Sequence, residues 1–466
     1  MHTNYYFFLP LLALLFSANS IFSENENFDP QRITIENVYA TTTKVPQYQN
    51  HVLNCFDGDT TTIWQTMDGI YENEGIMIYF PEPTYIYDIV LYDVDGKTTS
   101  RFEKYYDGRS AYWGTIDQKI SSLFIKFTGS NQHKNGRYSF GVSEIELLDE
   151  NENPYAINTP KLIKGQVKAS SALTPEIAYS PNNLVDGQKE NAWSEAVKGL
   201  GVGQKINFSL EEEVQVKQLK IWNGYQRSKE HFVANASMQS FTFGTKGGEK
   251  KSYTIKRKEG GQVIDLGTTF SGKEFELEIT GADAGTKYQD LVISEILLQN
   301  GNSSVTVFTG EEEKRVKDNF ALNHKILQRV LDKRLNDSKE ESVGENATIY
   351  RTSSLSLRSN NTFVLYDREE ETRVVNYNDS EDDEPYEEEE SNVISEIIAD
   401  GNWEIKSIED DKVVIRIFGK KFTPLNSSDL YKGKVTNSSL RIFQDNLTIT
   451  HDEVKGQKVL APIRIF

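Results

Sequence analysis

The sequence predicts a mainly β protein: two tandem jelly-roll β-sandwiches, a linking α-helix and a C-terminal antiparallel β module. Three observations carry this. Short runs rich in branched and aromatic residues alternate with turn residues. One Asp-Gly…Trp motif occurs twice, each time closed by Ser-Glu-Ile. A single cysteine leaves packing, not disulfides, to hold the domains.

The chain opens on an apolar run at 5–16 (YYFFLPLLALLF), followed by small residues including Ala18 and Ser20. Such a run is too short to span a bilayer, which takes about 20 apolar residues. It reads as a signal peptide over 1–23 with a cleavage site among the small residues, although its n-region holds His2 and no Lys or Arg. No later apolar run is long enough to cross a membrane. The expectation is an exported protein, in the medium, at a cell surface or in a periplasm.

In the first block, 24–160, Asn54-Cys55-Phe56-Asp57-Gly58-Asp59 leads to Trp64, and Ser143-Glu144-Ile145 follows on a late strand. In the second, 161–303, Asn183-Leu184-Val185-Asp186-Gly187 leads to Trp193, and Ser294-Glu295-Ile296 closes the block. Paired matches in one order predict a duplicated domain. The runs 76–80 and 86–92 read as strands separated by Pro81 and Pro83, and 214–222 alternates strictly, the period-2 mark of a half-buried strand.

These motifs resemble the discoidin family, the coagulation-factor type C β-sandwich modules. The second block is similar to the discoidin-like domain found with bacterial NAD glycohydrolase toxins. The residues that carry this are Asn183 to Gly187, Ala192-Trp193-Ser194-Glu195, Gly199-x-Gly201-x-Gly203, Ile221-Trp222-Asn223-Gly224-Tyr225-Gln226 and Tyr288-x-Asp290 through Ile296. The resemblance implies glycan binding or an aid to translocation. The block departs from that pattern where an Asn-x-Arg usually follows the Asn-Gly-Tyr segment; here Asn235 is followed by Ala236-Ser237.

Two site expectations follow. Trp193 and Tyr225 offer faces for a sugar ring, with Glu195, Asn223 and Gln226 as hydrogen-bonding groups. Trp222 lies on the alternating strand and reads as core, and Trp193 after its turn reads as core before it reads as ligand contact. Asp57, Asp59 and Thr62, with Glu144 closing from the last strand, place hard oxygens around one turn, a donor set that favours calcium as a structural ion. The competing reading is an Asx-type turn without metal. The second copy has Gln188 and Asn191 at the matching positions and is a poorer calcium site.

Enzyme chemistry finds little support. The six histidines show no metal-ligand pairing, no G-x-S-x-G elbow occurs, and Cys55 sits where a small buried apolar residue would serve. The net charge of −19 argues against nucleic acid as a partner. The expected partners are a glycan or another extracellular or cell-surface ligand, with a separate secreted enzyme as the alternative.

Beyond Thr309-Gly310-Glu311, apolar residues from Val316 to Leu335 recur at helical spacing, predicting a linking helix within 304–340. The last block, 341–466, reads as a barrel-like or open antiparallel module, with a hairpin turning at Asn360-Asn361. Its segment 379–390 (DSEDDEPYEEEE) reads as a solvated acidic loop.

Overall fold

The computed structural model describes residues 31–459, apart from 68–73, 108–113, 135–136, 175, 312, 315–325, 344–345, 378–385, 409–411, 423–437, 444–448 and 454–455. The expected signal peptide lies outside the described residues. The molecule is mainly β, as the sequence predicts.

In the first block a four-stranded antiparallel sheet runs Asn37–Ala40, Gly75–Ile86, Gln118–Phe127, Phe102–Tyr106. Opposite it, Asp88–Tyr92 pairs with Glu144–Leu148, and Trp64–Gln65 with Gly141–Val142. Ile76, Ile78, Ile120, Leu123 and Ile125 point between these layers with Trp64, Phe127 and Phe140 to form one core. Cys55 belongs to that core. Burial pushes its thiol well above the usual range, so it acts as a packing residue.

The second block uses two very long strands, Lys205–Asn223 and Gln262–Asp283. Irregularities in their register between Ser209 and Val214 divide each into two parts. The early part of Lys205–Asn223 pairs with Lys161–Ala169, the late part with Val292–Asn300. The same chain thus contributes to both faces of one apolar interior, built on Phe208, Phe241, Phe243, Phe275 and Trp193.

The C-terminal block is an eight-stranded antiparallel meander whose strands pair in chain order from Lys333–Ser342 to Gly456–Val459. The expected hairpin is present: Ala347–Leu357 pairs with Thr362–Tyr377, and the turn places Asn361 at φ +64°. Among the described residues the pairings form an open meander and close no barrel.

Two expectations change. The linking helix does not fill 304–340. Ser303–Phe308 is a strand pairing with Lys161–Ala169, as its Val305/Val307 alternation suits. A helical turn starts at Glu311, where the Glu311 N–H meets Thr309 Oγ1 at 3.4 Å and the Lys314 N–H bonds Gly310 O at 3.0 Å. Most of the remainder, 315–325, lies outside the described residues. Ile326, Leu327, Val330 and Leu331 are buried around a short 3-10 turn, Leu327–Arg329. Asp332 then adopts φ +55°, which ends any helix, and Lys333–Ser342 is extended. The acidic segment is also not all loop. Tyr386 and the four glutamates after it open the strand Tyr386–Ile408, whose 386–390 end pairs with 373–377. A long hairpin partner holds this charged run extended; 378–385 lies outside the described residues.

Candidate functional site

Both Asp-Gly turns are built alike. Gly58 and Gly187 take φ +74° and +79°, the left-handed conformation that favours glycine. In the first turn Asp57 Oδ1 accepts the Asp59 N–H at 2.9 Å and Oδ2 accepts the Thr62 hydroxyl at 2.8 Å. In the second, Asp186 Oδ1 accepts the Gln188 N–H at 2.8 Å and Oδ2 the Asn191 amide at 2.7 Å. Each turn leads to a fully buried tryptophan, Trp64 or Trp193, at the start of a short paired strand.

The first turn carries the internal hydrogen bonds of an Asx-type turn. Both Asp57 oxygens are occupied within the turn, and Asp59 accepts from the Thr61 N–H (2.9 Å) and hydroxyl (2.6 Å). Glu144 Oε2 faces the Gly58 N–H at 3.1 Å. Among the described residues no group of three or more His, Cys, Asp or Glu is placed to hold a metal ion. Asp57, Asp59, Thr62 and Glu144 do converge on one turn, whose hydrogen bonds are those of the Asx type. Burial, with the Asp57 charge beside it, pushes the Glu144 carboxyl up to about 8. In the second copy, Glu295 is fully buried beside Asp186, and burial holds its carboxyl well above the usual range.

The five residues expected to bind ligand do gather at one end of the second sandwich, but four of them are buried in it. Trp193 is fully buried and donates from Nε1 to Ser171 O at 2.9 Å. Asn223 is a clamp: its amide donates to Met238 O (2.7 Å) and Lys256 O (3.2 Å) and accepts the Met238 N–H (2.9 Å). Glu195 is buried and accepts the Leu291 N–H at 3.2 Å and the Val197 N–H at 2.5 Å. Gln226 ties Asn223 O (2.7 Å) to the Gly260 N–H (2.9 Å). Tyr225 is buried against Ala192 and Val292, with the Arg227 guanidinium over its ring at 5.0 Å. Trp193, Glu195, Asn223 and Tyr225 are buried and shape the loop end, while Gln226 is half-buried.

What this end presents outward is different. Tyr288 is 43% exposed, with the Lys287 ammonium 4.9 Å from its ring centre. Its backbone N–H bonds Ala234 O at 2.8 Å, fixing it to the helix Lys229–Ala234. Val197 and Val202 are exposed on the neighbouring glycine loop, where Gly201 lies against Glu195 and Leu291. The signal for Tyr288 was present in the sequence: an aromatic in a polar turn between two strands. It was read there only as part of the motif leading to Ser294-Glu295.

Residues 160–299 match the model of the family described as the NAD glycohydrolase translocation F5/8 type C domain. The second block is thus a discoidin-type β-sandwich, as its motifs imply. No curated protein matches the chain. Similar solved structures include the family 32 carbohydrate-binding module of AlyQ, in complex with 4,5-unsaturated mannuronic acid. It is 20% identical, covering 29% of this chain and 94% of that one, with a TM-score of 0.22. The family 32 module of C. perfringens NanJ in complex with galactose is 12% identical over 28% of this chain and 90% of that one, TM-score 0.23. Two such domains of Clostridium perfringens ZmpB, in complex with GalNAc, are 11% identical over 56% of this chain and 89% of that one, TM-score 0.22.

Proposed function

We propose that this chain is an exported, non-enzymatic binding protein whose second sandwich recognises carbohydrate or another cell-surface ligand at its loop end. The observation that carries the reading is the family match over 160–299 on a sandwich whose loop end holds Tyr288 exposed beside Lys287. An aromatic face packs on the C–H face of a sugar while a nearby ammonium bonds its hydroxyls. Loops held on a rigid sandwich suit such a role.

The first block, with its matching turn and tryptophan, is read as a second module of the same kind. Export rests on the apolar segment at 5–16, and no helix among the described residues is long and apolar enough to cross a membrane. The non-enzymatic reading draws support from the side chains themselves. Cys55 is buried, and His231 is engaged with the cap residue Ser228 at 2.8 Å.

A glycan array probed with the full chain tests the proposal. Binding to a defined set of sugars that falls at least about ten-fold in Tyr288→Ala supports it. An array silent for the full chain sinks it. A second reading, that the chain is an accessory for a separate secreted enzyme or toxin, draws on the translocation description of the matched family. Stable co-purification with a co-expressed NAD glycohydrolase would favour that reading.

A further inference from the structure

Charge is unevenly spread in this molecule. The chain carries −19 overall, yet the second block, 161–303, holds 18 bases against 17 acids. Within that block the signs separate. Four loops, 196–204, 224–236, 256–261 and 284–291, form the loop end and hold seven bases against three acids, Glu230, Glu259 and Asp290. The rest of the block holds eleven bases against fourteen acids. With the bordering Glu195 and Asp283 added to the loop end, bases still exceed acids there by seven to five.

The four loops are knitted together. Arg257 donates across to Phe232 O (3.1 Å), Val233 O (3.0 Å) and Ala284 O (2.5 Å). The Thr286 and Lys287 N–H groups bond Val233 O at 3.0 Å and Ala234 O at 3.1 Å. The glycine loop lies against the fourth, since a Cβ on Gly201 would stand 3.1 Å from Leu291 Cβ. On this frame Lys198, Lys229, Lys256, Lys258 and Lys287 are all exposed. Among the described residues none of the five is ion-paired, whereas Lys161, Lys205 and Lys246, elsewhere in the block, pair with Glu212, Glu276 and Glu274.

An unpaired lysine in water says little alone. What informs is that these are confined to the end that exposes an aromatic ring. Positive charges gathered on one end repel one another, and an anion relieves that repulsion. Tyr288 offers a ring face with the Lys287 ammonium 4.9 Å from its centre. A sugar acid would lay its C–H face on that ring and its carboxylate on the ammonium. The other lysines stand on separate loops, which suits charge repeated along a polymer better than one small anion. A membrane is a polyanion too, but its grip grows with inserted apolar area, and beside Tyr288 this end exposes only Val197, Val202 and Val233 among large apolar side chains. Polysaccharide is favoured.

We propose that the loop end of the second sandwich binds an anionic polysaccharide, one with carboxylates or sulfates repeated along its chain. This rests on the carbohydrate reading of that end and names its ligand class. An acidic protein then meets an acidic polymer through its one basic end, and the rest of its surface is repelled, which fixes the orientation of binding.

Binding of the full chain to polygalacturonate, heparin and neutral dextran tests this, with equimolar phosphatidylserine–phosphatidylcholine vesicles and a thymidine oligonucleotide as the other polyanions. Polygalacturonate or heparin should bind, and at least about ten-fold more weakly in roughly 500 mM than in roughly 50 mM NaCl. The triple substitution Lys256→Gln, Lys258→Gln, Lys287→Gln should weaken binding by about ten-fold, and arginine at the same three positions should retain it. Lys161→Gln, Lys246→Gln and Lys273→Gln together remove the same charge from exposed sites elsewhere in the block and should change affinity by less than about two-fold. The inference fails if this control loses as much, if binding ignores salt, or if vesicles or oligonucleotide bind and neither anionic polysaccharide does. Binding to neutral glycans alone would overturn it and leave the carbohydrate reading standing. Silence on every glycan would sink both.

Discussion

Glu144 sits half-buried with Asp57 beside it, and its carboxyl is pushed up to about 8 against an ordinary 4.5. Between those values the folded chain keeps a proton that the unfolded chain releases. Its contribution is therefore most favourable below about pH 4.5 and declines as pH rises to about 8. Glu144→Gln should abolish that part of the slope, making the variant more stable than the parent at pH 8 by on the order of 1 kcal/mol after solvent screening. Urea denaturation of both proteins at pH 5 and pH 8 measures it. Millimolar calcium should leave the parent's slope unchanged; a flattened slope would show that a cation holds Glu144 ionised and that the turn does coordinate metal. Asn223 and Tyr288 make the opposite pair at the loop end. Asn223→Ala strips the buried Met238 N–H and C=O of their partner and should cost ~2–4 kcal/mol. Tyr288→Ala, at an exposed position, should change stability by less than about 0.5 kcal/mol while removing binding. Equal losses of stability would mean that Tyr288 is structural too.

At the scale of the element, the hairpin of the C-terminal sheet turns on Asn361 at φ +64°, with Arg358 N–H bonded to Thr362 O at 2.9 Å. Asn361→Gly should be nearly neutral and Asn361→Val should cost ~1–2 kcal/mol, read from chemical denaturation, because a β-branched residue clashes in that conformation. This turn was legible from Asn360-Asn361 between two apolar runs, since turn chemistry is local. So was the strand within 214–222, although its alternation breaks once: Val214 and Val216 face the core, the register shifts between Val216 and Gln218, and Leu219 and Ile221 return to it. The ends of the linking helix predicted within 304–340 are strands instead, Ser303–Phe308 and Lys333–Ser342. Ile326, Leu327, Val330 and Leu331 are buried, but a 3-10 turn satisfies the same spacing over so few residues, and the αL residue Asp332 that follows it has no sequence period. The glutamates of 386–390 read as a loop because they repel one another, whereas a strand needs only a backbone partner, and 373–377 supplies it. The ligand residues were misassigned because a polar side chain inside a loop end and one on its surface look alike in sequence. Trp193, Glu195 and Asn223 differ from Tyr288 only in where the fold places them. The edge strand Lys333–Ser342 is rich in Lys and Glu, a composition that discourages pairing with another chain.

Across the whole molecule the three blocks are joined by buried charge. Glu36 of the first sandwich meets Lys189 and Lys220 of the second, and the Lys189 ammonium lies 3.8 Å from the Tyr79 ring centre and 4.8 Å from that of Trp222. Gly187 approaches so closely that a Cβ there would stand 3.0 Å from Asn37 Oδ1. The second Asp-Gly turn is thus an interface element, a role that no spacing in the sequence announces. The C-terminal sheet is pinned to the first sandwich by Arg358, which pairs with Glu74 and donates to Thr41 O at 2.7 Å, while Trp403 Nε1 holds Arg358 O at 3.0 Å. Both ends of the ion pair are about 1% exposed. Removing one partner leaves a buried charge alone, so Glu74→Gln and Arg358→Met should each cost ~3–5 kcal/mol. The double substitution should cost distinctly less than the sum, because the second change removes the charge that the first left unpaired. A double-mutant cycle by denaturation checks this, and strictly additive costs would show that the pair carries no coupling. Loop-end binding, remote from Arg358, should keep its strength in both single variants on a glycan array. A loss there would instead mean that the second sandwich depends on the third block to fold.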